Sequence, residues 1–362
     1  MDFDLNENQQ EMRNALRTLF DGACDIRRVR KVAYDGDGRD PELWKALSEG
    51  GWTGLMVPEA EGGSGLRFED FIVVLEEAGR AVAPVPLTTT MLAGRVIAGA
   101  PSSAARSELL KQIVSGTSSF TLALGEGIEA QPAGGNWRLE GKLEFVPHGP
   151  LAGTVLIEAA MPDGKRGLFA VPTAAGGIQW LDLDVMDRTV RQYEMTLGGV
   201  DVPAGASVFG SADAAAPIQT LLDEWRAALA AESLGVAEKM IELSVEYVKQ
   251  RIQFGKPVGS NQAVKVRIAE MGAAVDRLRS AVYYAAWAID SNVPERKVAV
   301  AMAKAAASAP GAFVGTQAIH VHGGIGFTWE YDLHLYFKRI KSNELLLGDT
   351  SAALQQIADE VL

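Results

Sequence analysis

Between Arg251 and Val264 the chain reads RIQFGKPVGSNQAV, a segment that separates two predicted helices. Arg251 offers a planar, permanently charged donor fork that suits a diphosphate. Phe254 offers a flat face for a ring, and the amide of Gln262 both donates and accepts hydrogen bonds. Together these groups suit a dinucleotide. Their spacing fits equally well an ordinary turn between helices, with a solvated arginine and a phenylalanine in the core.

The sequence on either side of this segment has helical periodicity. One long helix ends at the QFGKPVG turn. Its apolar stripe consists of Leu222, Trp225, Leu229, Val236, Met240, Leu243 and Tyr247. A second helix follows, for which Ser260 is the predicted N-cap. A third runs from about Pro294 to the paired glycines Gly323 and Gly324, and Pro310 is predicted to kink it. The C-terminal region is therefore predicted to be a helical bundle.

A second glycine-rich segment reads AIHVHGGIGFTWEYDLHLYFKR, from Ala318 to Arg339. Its glycines leave bare backbone at a helix end, where the sugar or phosphate of a ligand could approach closely. For an isolated glycine pair, a helix C-cap followed by a turn is the better explanation. The segment is not a dinucleotide-binding Rossmann fingerprint, because no predicted strand precedes it.

The rest of the chain divides into a helical part and a β-rich part. Helical spacing extends from residue 5 to about 115, interrupted by the loop GGWTGLMVPEAEGGSG. Short β-rich runs then continue to about residue 208, and no connection of helix length separates them, so an antiparallel sheet or barrel is expected. The predicted domains are an N-terminal helical domain (1–115), a middle β domain (116–210) and a C-terminal helical bundle (211–362).

Taken together, these features resemble the acyl-CoA dehydrogenase family. The resemblance runs through a QxE-like N-terminal helix, VPEAEGGSG, LEEAGR, the β-rich region, RIQFGKPV and HGGIGF, and so covers almost the whole chain. It implies an α+β multidomain fold, with an N-terminal α-helical domain, a middle β-barrel domain and a C-terminal four-helix bundle that forms tetramers. The implied reaction is α,β-dehydrogenation of an acyl-CoA thioester, in which a carboxylate removes the α proton and hydride passes to FAD.

The resemblance also implies which residues contact the cofactor. By similarity these are Arg251, Phe254, Gln262, His320, Gly323 and Gly324. Arg251 would hold the pyrophosphate, Phe254 would pack near the flavin end, and Gln262 would contact the adenosine half of a neighbouring subunit's FAD. The glycine pair would line the adenine side. His320 stands where the family usually has glutamine.

The chain departs from the family at the catalytic base. The family places a glutamate immediately before Gly-Thr near the C-terminus, whereas this chain reads LLLGDTS and has Leu347 there. An alternative family position precedes an arginine, which Arg226 matches, but Trp225 takes the acidic place. Asp349 and Glu224 are nearby carboxylates that could act as the base, with Arg226 supporting the active site. The alternatives are a cap or turn role for Asp349 and a solvated helix face for Glu224.

The β-rich region departs as well. The run LGEGIEAQPAGG keeps only Glu126 of the stretch with which the family binds substrate and flavin. Where the family usually has tryptophan and threonine beside the flavin ring, EFVPH offers Phe145 and Pro147. The retained features serve the adenosine half of FAD, and the missing ones serve the ring and the base. In this respect the chain is similar to the shorter, base-lacking subunits of two-chain bacterial acyl-CoA dehydrogenases, which act on steroid side chains.

These observations leave two main hypotheses. The chain is an FAD-dependent acyl-CoA dehydrogenase, active as a homotetramer or as one subunit of a heterotetramer, that passes electrons to an acceptor flavoprotein. Alternatively, it is a non-catalytic partner subunit that completes the FAD site of a paired chain. A third hypothesis is that the chain is a helical scaffold that binds no flavin.

Composition narrows the choice of partners and compartment. The net charge of −12 over 362 residues argues against binding to nucleic acid or anionic lipid, which requires clustered lysine and arginine. A single cysteine, Cys24, and an N-terminus without a signal-like pattern predict a cytoplasmic protein that does not span a membrane. With four histidines and no zinc-like spacing, no metal site is expected.

Overall fold

The computed structural model describes residues 5–362. Within them, the α-helices are α1 (Glu7–Ala23), α2 (Ile26–Arg30), α3 (Pro41–Glu49), α4 (Phe68–Arg80), α5 (Leu87–Ala98), α6 (Ala104–Ser115), α7 (Ala215–Gln250), α8 (Gln262–Ser291), α9 (Arg296–His322), α10 (Leu333–Leu345) and α11 (Thr350–Val361). The strands are β1 (Phe120–Ala123), β2 (Ile128–Ala133), β3 (Asn136–Pro147), β4 (Thr154–Ala160), β5 (Arg166–Pro172), β6 (Ile178–Leu183), β7 (Gln192–Val202), β8 (Ile252–Gln253) and β9 (Lys256–Pro257). The predicted fold class is confirmed: helices, a curled β-sheet and long helices follow one another.

The elements form two compact units that interleave along the sequence. One contains the described chain from residue 5 to Arg30, Phe68–Ala83 and Arg226–Leu362, and the other contains Lys31–Arg67 and Pro84–Trp225. The predicted division into three domains follows the order of helices and strands and stays a prediction.

The middle region is a seven-stranded sheet in the order β1-β4-β2-β3-β7-β6, with β5 paired to β4. Four strand pairs are antiparallel, as expected, but β4 pairs in parallel with both β1 and β2. The prediction of a purely antiparallel sheet is therefore wrong. A parallel pair needs a long connection, and here the β2–β3 hairpin supplies it between β1 and β4. One face buries Val155, Ile157, Phe169, Val171 and Met195.

The long C-terminal helices begin and end close to the predicted positions. Asn261, and not Ser260, stands at the N-cap position of α8, because Ser260 belongs to the 3-10 turn Val258–Ser260. Helix α9 continues through Pro310. With the turn after it, α9 is, within the described chain, the segment long and apolar enough to cross a membrane by length and composition. Of its most apolar window, 56% is buried inside the protein, as in the core helix of a globular protein.

Helices α4 and α7 cross at two glycines. A Cβ atom on Gly79 would lie 2.1 Å from the carbonyl oxygen of Glu232, and one on Gly235 would lie 1.8 Å from that of Glu76. Contacts this short do not occur with real side chains. The two backbones can therefore touch only because both positions lack a side chain.

An ionic cluster lies beside this crossing. The buried carboxylate of Glu76 accepts hydrogen bonds from Arg13 of α1 (2.8 Å) and from Arg279 (2.7 Å) and Tyr283 (2.6 Å) of α8. Burial and the carboxylate raise the pKa of Tyr283, so that its hydroxyl stays protonated and donates. Helices α1 and α8 are thus both held to one carboxylate of α4 at the crossing.

We predict that Gly235→Ala lowers the free energy of unfolding by about 3 kcal/mol, because the added methyl group forces the helices apart. Urea denaturation measures the change. Gly272→Ala in α8 is the matched control, since a Cβ there meets nothing within 4 Å. The control should leave stability unchanged or raise it by about 1 kcal/mol. A Gly235→Ala protein as stable as the wild type would contradict the close crossing.

Candidate functional site

The RIQFGKPV segment forms a tight hairpin that projects into solvent. Pairing of β8 with β9 leaves Phe254 and Gly255 as a two-residue turn, with φ of +53° and +78°. Positive φ at both central residues is typical of a type I′ turn. Phe254 is 99% exposed at the tip, so the alternative that placed it in the core is wrong. Arg251, at the base, is exposed as well.

The glycines of the HGGIGF segment have two different surroundings. Gly323 ends α9 with φ +65° and needs its backbone freedom there. A Cβ on Gly323 or Gly324 would meet nothing within 4 Å, whereas one on Gly326 would lie 2.9 Å from the carbonyl oxygen of Ile319. Gly326 is therefore required by packing, and the Gly323–Gly324 pair presents open backbone at the surface.

An aromatic stack joins the ends of α7 and α9. The ring of Tyr247 stacks on that of His322, with centroids 4.4 Å apart. The Nδ1 atom of His322 lies 2.7 Å from the carbonyl oxygen of Ala318, and its Nε2 atom lies 3.1 Å from the Tyr331 hydroxyl. Burial lowers the pKa of His322, so the imidazole is neutral near pH 7 and serves as a packing group.

This stack brings the two predicted cofactor segments to the same end of the helices. Arg251 follows Tyr247 by one turn, and its N–H donates to the carbonyl of Tyr247 at 2.8 Å. Gly323 directly follows His322. Gln262, the first residue of α8, and His320 of α9 are both exposed. The result is an exposed surface with a cation, an aromatic ring, an amide and open backbone. The sequence does not reveal the stack, because there Tyr247 is one member of a long apolar stripe.

The turn between α10 and α11 contains the position of the family's base. Leu347 has φ +62° and Gly348 has φ +101°. Asp349 is the N-cap of α11, and its Oδ1 atom accepts from the backbone N–H of Ala352 at 3.0 Å. Arg226 donates from Nε to the carbonyl oxygen of Leu347 at 3.2 Å. Asp349 thus has the alternative role, that of a helix cap. Its assignment as the catalytic base stays a prediction.

A buried lysine contacts the same turn. Lys304 of α9 is 1% exposed, and its Nζ atom donates to the carbonyl oxygens of Asn343, Glu344 (3.2 Å) and Leu346 (2.7 Å). No sequence signal predicts this contact, because a lysine in VAMAKAAAS is typical of the solvated edge of an alanine-rich helix.

The second candidate base lies in the other unit. Glu224 is 4% exposed, so the alternative that placed it on a solvated helix face is wrong. Its Oε1 atom accepts from Nε of Arg95 in α5 at 2.7 Å. Trp225, at the acidic place of the family, is 3% exposed. Glu224 therefore has a defined structural role as an ion-pair partner, and its assignment as base also stays a prediction.

The loop after β1 is closed by an ion pair. The backbone N–H of Gly125 donates to Glu158 at 2.8 Å, and its carbonyl accepts from Arg166 at 3.1 Å. Arg166 also pairs with Glu158 at 2.8 Å. Both main-chain groups of Gly125 are thus satisfied by the chain itself, and the neighbouring Glu126 is exposed.

A β-bulge presents Phe145. Leu143 and Val146 of β3 pair with Met195 and Tyr193 of β7, so that two residues of β3 lie opposite one of β7. Phe145 has φ +59° and is 53% exposed. Pro147, two residues on, is buried and cannot donate a backbone hydrogen bond. This part of the sheet therefore offers an exposed ring, and position 147 has no backbone donor.

Comparison with known proteins agrees with this geometry. The model of the acyl-CoA dehydrogenase N-terminal domain matches residues 6–117, and that of the C-terminal domain matches residues 215–362. The succession of helices, curled sheet and helices is the fold of these flavin oxidoreductases. The chain belongs to the acyl-CoA dehydrogenase family and is an enzyme of that type.

Several relatives match along their whole length. The acyl-CoA dehydrogenase IpdE2 of Mycolicibacterium smegmatis is 30% identical over 358 residues, which is 99% of this chain and 100% of the relative. A chain of the ChsE4–ChsE5 complex from Mycobacterium tuberculosis matches with a TM-score of 0.92 and 29% identity, covering 100% and 99% of the two chains. A variant of the steroid ACAD Tcur3481–Tcur3483 matches with a TM-score of 0.88 and 34% identity, covering 98% of each chain.

The pairing of Glu224 with Arg95 can be tested by a double-mutant cycle of Glu224→Gln and Arg95→Met. Each substitution removes one partner of a largely buried pair and should lower stability. The double variant should lose less free energy of unfolding than the two single variants together. Urea denaturation should give a coupling energy of about 1–3 kcal/mol between the two residues. The exposed pair Arg138–Asp201 is the control and should show no measurable coupling. Strictly additive losses at Glu224 and Arg95 would contradict a structural pair.

Proposed function

We propose that this chain is one subunit of a two-chain, FAD-dependent acyl-CoA dehydrogenase. To this enzyme it contributes the residues that bind the adenosine half of FAD. The observation that carries the proposal is the turn between α10 and α11. There Leu347 stands at the position of the base, and the carboxylate of Asp349 caps α11. The partner chain would then supply the base that removes the α proton.

The exposed surface at the ends of α7 and α9 fits the adenosine half of FAD. Arg251 is a cation able to hold a pyrophosphate through two donors. Phe254 offers an almost fully exposed ring, and the backbone at Gly323 and Gly324 is open to close approach. When bound, FAD accepts the hydride from the β carbon. Here the chain's own residues bind and orient the cofactor.

The sheet supports the same division of roles. The main-chain groups of Gly125 are engaged by Glu158 and Arg166, and Phe145 and Pro147 replace the usual residues beside the flavin ring. The similarity to chains of the ChsE4–ChsE5 complex and of Tcur3481–Tcur3483 also favours a paired enzyme. An acyl-CoA thioester is the substrate of this proposal, an electron-acceptor flavoprotein its oxidant, and a cytoplasmic heterotetramer its assembly.

The first prediction concerns flavin content. Purified alone, the chain should contain little flavin. Co-expressed with a family member that carries the C-terminal glutamate, it should purify as a yellow complex with FAD. Visible absorbance against protein concentration measures the ratio. A chain that is fully flavinated and active on its own would overturn the proposal.

Within that complex, Arg251→Ala should weaken FAD retention by about tenfold, because a charge-assisted pyrophosphate contact is lost. Lys256→Ala is the control, since it removes an exposed cation from the same hairpin. Equal flavin loss in both variants would mean that general surface charge, and not a specific contact, holds the cofactor.

The position of the base provides a further test. Leu347→Glu should leave the turnover of the two-chain enzyme unchanged, because the partner supplies the base. Leu345→Glu, at a residue that is 64% exposed, controls for the added charge. If this chain alone has a complete site that lacks only its base, Leu347→Glu should raise turnover of the chain alone by about 100-fold or more. That rise would contradict the two-chain proposal.

A further inference from the structure

The contacts of Lys304 use every proton that a lysine can donate. Its three acceptors are main-chain carbonyls at and just beyond the last turn of α10. Carbonyls at a helix C-terminus have no partner within the helix and must find donors elsewhere. An ammonium group carries three N–H bonds, so the protonated lysine can serve all three carbonyls at once.

A second cation holds the next carbonyl. Lys304 binds the carbonyl oxygen of Leu346, and Arg226 of α7 binds that of Leu347 at 3.2 Å. Between these two contacts Leu347 adopts φ +62°, a left-handed conformation that is unfavourable for leucine. Such a conformation persists where surrounding contacts enforce it. The two cations, on different helices, are contacts that act on the carbonyls on either side of this conformation.

We infer that Lys304 is a positioning residue: as an ammonium ion it fixes the Leu346–Asp349 turn, and with it the direction in which residue 347 points. The inference rests on the proposed function, because this turn carries the family's base position. It concerns main-chain geometry, so it holds whichever side chain stands at 347.

The charge on Lys304 makes this restraint depend on pH. Burial and the neighbouring Arg226 lower the pKa of Lys304 to about 7, against opposing effects of Glu344 and Asp349. A neutral amine has two N–H bonds, so one of the three carbonyls loses its donor on deprotonation. In openings of the turn that leave Lys304 buried, the turn should therefore loosen as pH rises through about 7.

Global stability should change in the opposite direction. The pKa of Lys304 in the folded chain lies below its ordinary value of 10.5, so between these values the unfolded chain binds more protons. The contribution of Lys304 to stability then rises with pH across that window. The global gain follows from burial of the lysine alone, so the local loosening is what distinguishes a charged restraint on the turn from general packing.

Hydrogen–deuterium exchange tests the inference without any activity. In the peptide covering 343–353, exchange of the wild type, corrected for intrinsic chemistry, should be about tenfold faster at pH 8.5 than at pH 6.0, equivalent to one lost hydrogen bond. Lys304→Met should exchange fast at both pH values. Lys297→Met is the control, because Lys297 is a partly exposed lysine of the same helix, paired with Glu360. It should behave as the wild type.

A folded Lys304→Met protein that protects this peptide as the wild type does would overturn the inference. If that variant does not fold, the wild-type comparison decides, and equal corrected exchange at the two pH values would overturn it. Turnover of the two-chain complex is measured separately. Suppose that exchange in this peptide is faster at pH 8.5, as expected, but that the complex does not dehydrogenate an acyl-CoA thioester. The proposed function would then be wrong, whereas the role of Lys304 would be supported.

Discussion

Helices α4 and α7 approach each other until their backbones touch at Gly79 and Gly235, and helices α1, α8 and α10 are held to groups beside this contact. It places the carboxylate of Glu76 where α1 and α8 can reach it. On the other side, the buried Arg339 of α10 lies 3.5 Å from Glu232 of α7 and donates to backbone carbonyls after α4. The end of α10, where the candidate catalytic turn begins, therefore takes its position from the crossing.

The order of helices and strands could be predicted because helical periodicity and glycine-rich breaks are local properties. The sheet was predicted less well. Pairing of β1 with β4 joins segments more than 30 residues apart, and nothing in either segment distinguishes a parallel from an antiparallel neighbour. The N-cap of α8 was misplaced by one residue, from Asn261 to Ser260, because both side chains are good caps and the short 3-10 turn decides between them.

The candidate site was predicted where residue type alone defines the chemistry. The exposed arginine, phenylalanine and glycines at the ends of α7 and α9 were named from the sequence. The surroundings of the carboxylates were not. Glu224 is buried against Arg95, which precedes it by 129 residues, and Lys304 finds its acceptors about 40 residues further along the chain. Such pairs are visible only once helices pack, because a single sequence shows no partner for them.

The turn between α10 and α11 is held through main-chain oxygens, and this has an evolutionary consequence. Lys304 and Arg226 grip carbonyl groups, so the side chain at position 347 can change while the backbone keeps its course. After a gene duplication, one copy could therefore lose its carboxylate there without losing its shape.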